Sequence, residues 1–173
     1  MEFLKNFFKL LISAVLVFSC SQVRPQNTKT KDSETQTGQS IQFGIFQNTE
    51  DLNIDLDDPK FDALVLIFAS DTCSTCAEEA RYWQQNLKSN LPSNIQFIHY
   101  LLGGFKEDAQ NWKQAFQVNW NVIYNDSDDL YRRYCPAIIT PCLLIYNKNT
   151  QTLTQTYKPL RKIEIETLTG EWK

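Results

Sequence analysis

The stretch ALVLIFASDTCSTC, residues 63–76, joins an uninterrupted apolar run to a pair of cysteines. The run Ala63–Ala69 is typical of a strand that is covered on both faces. Residues 70–72 interrupt it, and apolar residues then recur at helical spacing from Cys73 to Asn90. The pattern therefore predicts a buried strand, a short turn and a helix whose first turn carries both cysteines.

Strands and helices continue to alternate along the rest of the chain. Apolar or alternating segments predict further strands at residues 41–46, 94–102, 121–124, 142–147 and 152–157. Helical spacing and capping residues predict helices at 106–118, from the acidic segment 126–129 to Tyr134, and beyond Lys158. Strands joined through helices pair in parallel, whereas the turn at residues 147–150 predicts an antiparallel hairpin. We expect an α/β sandwich with helices flanking a mixed sheet of about four or five strands.

The segment 1–19 has the features of a secretory signal. Lys5 and Lys9 precede the apolar run Leu10–Phe18, which is too short to cross a bilayer comfortably. The run ends in VFSC, which resembles the lipobox of bacterial lipoproteins and predicts cleavage before Cys20 and lipidation of its thiol. An uncleaved anchor, or a plain cysteine at the end of a signal, remains the alternative.

The segment 20–40 is predicted to be a flexible tether that follows the lipidated cysteine. After Cys20 it contains one aliphatic residue, Val23, and no aromatic residue, so it lacks the apolar surface that would offset the entropy of ordering. The globular domain is therefore expected over residues 41–173, outside the cytoplasm on the periplasmic side of a bacterial cell envelope.

Composition excludes several classes of protein. The chain of 173 residues is 42% hydrophobic, which argues against general disorder, and its 5 cysteines are too few for a disulfide scaffold. The formal net charge is −3, and no cluster of Lys and Arg is interleaved with aromatic residues. Nucleic acid is therefore not expected as a partner.

The chemistry is predicted to lie in Cys73-Ser74-Thr75-Cys76. Two cysteines at this spacing in the first turn of a helix can close a disulfide. The helix N-terminus favours a thiolate, so Cys73 is expected to be the nucleophile and Cys76 the resolving thiol. Two alternatives stay open, a metal site that also uses Cys135 and Cys142, and a pair of inert buried thiols.

The run ALVLIFASDTCSTC, followed by IITPCLLIYN at residues 138–147, resembles the thioredoxin superfamily. The signal and tether add a similarity to its bacterial envelope-anchored thiol–disulfide oxidoreductases, including those that serve cytochrome c maturation. The resemblance implies a thioredoxin-like domain without a cofactor, protein disulfide or dithiol substrates, and an upstream electron-donor protein. It further implies that Pro141 is cis and faces the cysteine pair, where the Thr140 backbone would orient an extended substrate segment.

The sequence departs from the family at three places. Thr72 stands where the family has tryptophan, and residues 74–75 lack the common proline. Ile67 stands where thioredoxin has a buried acid, which predicts slow proton transfer or a substitute acid elsewhere. Glu78 and Glu79 are the candidates, although both are interpreted first as solvated partners of the helix dipole.

Several remaining residues are assigned less specific roles. Asp71 disfavours a thiolate at Cys73, and no Lys, Arg or His lies within four residues of Cys73. Only modest activation of the Cys73 thiol is therefore expected, which favours a reductant or isomerase role. Cys142 is open to a bridge with Cys135, to a thiol relay, or to packing as a small apolar residue, which we favour. His99 is predicted to be a core histidine. Trp83, Trp112, Trp120 and Phe116 are predicted to be core residues.

The leading hypothesis is a membrane-tethered thiol–disulfide oxidoreductase that reduces or isomerises protein disulfides in the cell envelope. A peroxidase is ranked lower, since Ser70 stands where peroxiredoxins have threonine. A metal or copper-delivery module, and a thioredoxin-like interaction domain without turnover, are the alternatives from other classes.

Overall fold

The computed structural model describes residues 34–37, 41–87 and 91–170. The predicted signal peptide and the lipidation site Cys20 lie outside these residues. The described strands are β1 (Glu34–Thr37), β2 (Ile45–Gln47), β3 (Asn53–Asp55), β4 (Ala63–Ala69), β5 (Ile95–Leu102), β6 (Asn121–Asn125), β7 (Cys142–Asn147) and β8 (Thr152–Thr156). The described helices are α1 (Ser74–Leu87), α2 (Lys106–Phe116), α3 (Asp129–Tyr134) and α4 (Lys162–Thr169).

The main sheet is mixed, with the order β1-β8-β7-β4-β5-β6. Strands β4, β5 and β6 are parallel, and β7 and β8 continue the sheet in antiparallel pairing. The predicted fold class is therefore confirmed for the five strands from β8 to β6. The strand predicted at residues 41–46 is shifted, because β2 begins at Ile45 and pairs with β3 in a separate hairpin.

Strand β1 lies inside the segment that was predicted to be a tether. Its backbone pairs antiparallel with β8, from Glu34 opposite Gln155 to Thr37 opposite Thr152. For these four residues the prediction of a flexible tether is wrong. The physical reason is that an edge strand offers unpaired N–H and C=O groups, and pairing with them needs no apolar side chains.

The sheet has a hydrophobic core on each face, which gives the predicted three layers. Alternation along β7 places Leu143 and Ile145 on one face, and Leu144 and Tyr146 on the other. The first face packs against residues of α1, α2 and α4, namely Ala80, Trp83, Leu87, Ala109, Trp112 and Ile165. The second face is covered by α3 and the hairpin region, through Leu130, Tyr131, Phe43 and Leu56.

His99 is a buried core residue, as predicted. Its Nδ1 accepts a hydrogen bond of 2.6 Å from Trp120 Nε1, so the neutral ring carries its proton on Nε2. Burial lowers the pKa of His99 to about 3. The tryptophans Trp83, Trp112 and Trp120 are at most 4% exposed, and Phe116 packs against the same core. Their prediction as core residues is confirmed.

Candidate active site

The turn after β4 makes Cys73 the N-terminal cap of α1. The Cys73 N–H donates to the Ser70 carbonyl at 3.2 Å, which closes the turn. The Cys73 carbonyl then accepts from the Ala77 N–H at 3.1 Å, as the residue that caps a helix does. A strand that is buried along its whole length thus delivers a cysteine directly to a helix N-terminus.

Cys73 and Cys76 form a disulfide with a Cα–Cα distance of 5.2 Å. The two sulfurs differ in access, because Cys73 is only partly buried whereas Cys76 is 1% exposed. The Cys76 N–H also donates to Cys73 Sγ at 3.0 Å. An amide in this position, together with the helix dipole, favours negative charge on Cys73 Sγ once the bridge is reduced.

Pro141 lies at the same edge of the sheet as the cysteine pair. The antiparallel register of β4 and β7 pairs Phe68 with Cys142, and its continuation brings Pro141 opposite Ala69, at the start of the turn to Cys73. Pro141 is buried, and the Thr140–Pro141 peptide bond is cis, as the family resemblance implied. The chain therefore brings a cis proline and the Cys73–Cys76 disulfide to one end of β4.

Cys135 and Cys142 form a second disulfide, with a Cα–Cα distance of 6.4 Å. The favoured prediction, that Cys142 packs as a free thiol, is wrong, and these residues are not accessory thiols in this oxidised form. The chain turns back after α3, where the Ile138 N–H donates to the Cys135 carbonyl at 3.0 Å. This local turn brings Cys135 and Cys142 together, although their spacing in the sequence is not that of a typical pair of metal ligands.

The two disulfides lie on opposite faces of the sheet. Cys76 belongs to the core on the α1 side, together with Leu143. Cys135 and Cys142 belong to the core on the α3 side, and both are 0% exposed. The sheet therefore separates the two pairs, which argues against the relay in which Cys142 exchanges directly with the active pair.

Of the two candidate substitute acids, Glu79 is buried. It lies on the inner face of α1, one turn beyond Cys76, and is 3% exposed. Burial raises its pKa to about 7, against the lowering effects of the Trp83 indole and the Arg161 charge. The prediction that Glu79 is a solvated partner of the helix dipole is therefore wrong. Glu78, in contrast, is exposed to solvent. Glu79 is three residues after Cys76 and four before Trp83, and this helical spacing is the sequence signal that places it on the buried face of α1.

A small cavity of about 90 Å³ lies beside this acid. Thr75 and Glu79 form part of its wall from α1, and Arg161 closes it from the segment before α4. The Arg161 guanidinium stacks over the Tyr82 ring at 4.5 Å from its centroid. The cavity is large enough for water, and Glu79 contributes to its wall.

The described cysteines are all in disulfides, and no group of three or more His, Cys, Asp or Glu side chains in residues 34–37, 41–87 and 91–170 is arranged to hold a metal ion. The oxidised form therefore offers no thiolate ligands at either cysteine pair.

Comparison with known proteins gives matches at the level of structure. No protein-family model and no curated protein sequence matches the chain. A secreted thiol-disulfide isomerase from Corynebacterium glutamicum has a TM-score of 0.67 at 12% identity, over 82% of this chain and 92% of that chain. StoA from Bacillus subtilis has a TM-score of 0.59 at 13% identity, over 72% and 93% of the two chains.

A third similar structure is a secreted disulfide oxidoreductase from Mycobacterium tuberculosis, described as homologous to DsbE of Escherichia coli. It has a TM-score of 0.57 at 17% identity, over 75% of this chain and 92% of that chain. At such identities the likeness concerns the fold. Together with the sheet order and the cis Pro141 beside the cysteine pair, it shows that the chain has the thioredoxin-like fold.

Proposed function

We propose that the protein is a thiol–disulfide oxidoreductase that acts on protein disulfides. The observation that carries the proposal is the Cys73–Cys76 disulfide at the N-terminus of α1, with one accessible and one buried sulfur beside a cis proline. The difference in accessibility supports a division of roles, since a protein substrate would reach Cys73 before Cys76. Cys73 is therefore the attacking residue and Cys76 the resolving residue.

The reaction begins from the reduced pair. The Cys73 thiolate attacks one sulfur of a substrate disulfide, forms a mixed disulfide and releases the other substrate sulfur, which takes up a proton. Cys76 then loses its proton and attacks Cys73 Sγ, so that the Cys73–Cys76 bridge forms and the second substrate thiolate leaves. The substrate gains two electrons, and a dithiol electron-donor protein restores the reduced pair.

Glu79 is proposed to accept the proton of Cys76 during resolution. Burial disfavours the thiolate of Cys76, so a nearby base is needed at this step. A carboxyl group with its pKa near 7 is suited to take up and return a proton near neutral pH. The cavity between Glu79 and Arg161 provides a place for water through which that proton reaches the solvent.

Thr140 and Pro141 are proposed to orient the substrate. Pro141 is buried against the end of β4, while Thr140 is partly exposed just before β7. An extended segment of the substrate can pair with the Thr140 backbone, as peptides add to a free strand edge. Such pairing would hold the substrate disulfide in front of Cys73.

Reduction or isomerisation is proposed as the direction of the reaction. Strongly oxidising pairs owe their potential to a strongly stabilised thiolate. Here the Cys76 amide favours the thiolate of Cys73, but Asp71 adds a negative charge two residues away. We expect the rate of Cys73 alkylation to follow an apparent pKa above about 5, and a lower value would contradict this direction.

We also propose that the domain works outside the cytoplasm, attached to a membrane through lipidated Cys20. The VFSC sequence and the extracytoplasmic location of two similar proteins, described as secreted, support this proposal. Within the residues that the structure describes, no helix is long and apolar enough to cross a membrane. Fractionation tests the anchor, because Cys20→Ser should move the protein from the membrane fraction to the soluble one.

Insulin reduction tests the activity. With dithiothreitol as the electron donor, wild-type protein should accelerate the precipitation of insulin B chain, and Cys73→Ser should not. Equal rates for the two proteins would contradict enzymatic activity and leave an interaction domain as the function of the fold.

A further inference from the structure

The Cys135–Cys142 disulfide closes a loop that includes the two residues proposed to orient the substrate. The loop runs from the end of α3 to the first residue of β7, a sequence separation of 7. It contains Thr140 and Pro141, so any movement of the loop displaces the backbone that would pair with substrate. The bridge fastens both ends of this loop to the core on the α3 side of the sheet.

The loop exposes apolar surface next to that backbone. Ile138 is 59% exposed and Ile139 is 54% exposed, although large apolar side chains are usually buried. Ile138 also has a φ of +53°, a conformation that β-branched residues rarely adopt. Such a conformation persists only where the surrounding structure holds it.

Contacts within the described residues show how the loop is held. Besides the bridge, the Tyr157 hydroxyl accepts a hydrogen bond of 2.7 Å from the Ala137 N–H, and the Cys135 carbonyl accepts one from Ile138. Both sulfurs are fully buried on the face opposite Cys76. The bridge is therefore shielded from the thiol exchange that takes place at Cys73.

We propose that the Cys135–Cys142 disulfide is a positioning device for substrate, an inference that rests on the proposed function. It holds Ile138 and Ile139 as an apolar ridge, against which an extended apolar segment beside the substrate cysteine docks while its backbone pairs with Thr140. Because the ridge is ordered before substrate arrives, binding does not require the loop to be ordered at that moment. The bridge thus lowers KM for substrates with apolar flanks and takes no part in electron transfer.

The double variant Cys135→Ala/Cys142→Ala tests this proposal by steady-state kinetics. The substrates are two synthetic peptides with the same disulfide, one flanked by leucine and valine and the other by serine and glycine. We expect KM for the apolar peptide to rise about fivefold, with a smaller change for the polar peptide. The kcat and the reduction potential of Cys73–Cys76 should stay unchanged. An unchanged KM for the apolar peptide, or a fall in kcat alone, would overturn the proposal.

Tyr157→Phe provides a second variant that leaves every cysteine in place. It removes only the hydroxyl that accepts from Ala137, so KM for the apolar peptide should rise in the same direction by a smaller factor. A normal KM in this variant and a raised KM in the cysteine variant would point to thiol chemistry and contradict the positioning role.

Hydrogen exchange separates this inference from the proposed function. The amides of residues 137–140 should exchange faster in the cysteine variant than in the wild type, whether or not the protein has activity. Unchanged exchange would overturn the inference even if insulin is reduced. Conversely, equal insulin reduction by wild type and Cys73→Ser would refute the proposed function while exchange still reports on the loop.

Discussion

Replacement of Glu79 by glutamine should remove a pH dependence from the stability of the protein. Glu79 is 3% exposed, and burial raises its pKa from 4.5 to about 7 in the folded state. In the unfolded chain the carboxyl loses its proton near 4.5, whereas in the folded protein it keeps the proton until about pH 7. The unfolded state therefore binds fewer protons in this window, so wild-type stability falls as the pH rises through it.

The size of the effect follows from the shift. Each pKa unit corresponds to about 1.4 kcal/mol, so the wild type should lose about 3 kcal/mol of unfolding free energy between pH 4 and pH 8 through this residue. Glutamine does not titrate, so Glu79→Gln should lack that loss. The buried amide of glutamine adds a cost that does not depend on pH. The unfolding free energy of the variant, relative to that of the wild type, should therefore rise by about 3 kcal/mol between pH 4 and pH 8.

Urea unfolding of the oxidised protein at pH values from 4 to 8.5 measures this difference. Glu78→Gln is the matched control, because Glu78 precedes Glu79 on the same helix but is exposed. Its stability should follow that of the wild type across the whole range. Parallel curves for Glu79→Gln and the wild type would refute the burial argument, and with it the assignment of Glu79 as the proton acceptor.

Three further predictions concern the cysteines and the buried histidine. Cys76→Ser should accumulate a mixed disulfide with insulin, visible on a non-reducing gel, because nothing resolves the adduct; absence of an adduct would contradict the roles of the pair. Loss of the Cys135–Cys142 bridge by alanine substitution should lower the unfolding free energy by about 2.5 kcal/mol, as expected for the entropy of a ring this short. An unchanged urea midpoint would contradict that value. Trp120→Phe should cost about 1–3 kcal/mol near neutral pH, since it leaves buried His99 Nδ1 without its donor; a smaller loss in urea unfolding would show that the bond is dispensable.

Local sequence patterns predicted the strand, turn and helix that position the Cys73–Cys76 pair. The apolar run Ala63–Ala69 became the central buried strand because its residues satisfy cores on both faces of the sheet. The cysteines after it lie in the first turn of α1, because the turn at 70–72 allows Cys73 to cap that helix. These features depend on neighbours in sequence, which periodicity and capping rules describe well.

Of two features that depend on tertiary contacts, one was missed and the other was left among open alternatives. Strand β1 follows from the free edge of β8, which lies more than a hundred residues away in the chain. The bridge between Cys135 and Cys142 follows from the turn after α3, and its sulfurs occupy the face away from Cys76. Neither arrangement can be derived from composition, because each requires knowledge of which surfaces meet in the folded protein.

In the proposed mechanism, Glu79 on α1 supplies the acid that is absent at Ile67. An acid at Ile67 would belong to the sheet, so its distance from the resolving cysteine would depend on how α1 packs against β4. Glu79 instead follows Cys76 by three residues on one helix, and side chains at that spacing are neighbours by helix geometry alone. The separation of Glu79 from Cys76 is therefore set by the helix itself and is insensitive to a small shift of the helix on the sheet. Its desolvation, which costs stability at neutral pH, is the same property that brings its pKa into the range where it can accept the Cys76 proton.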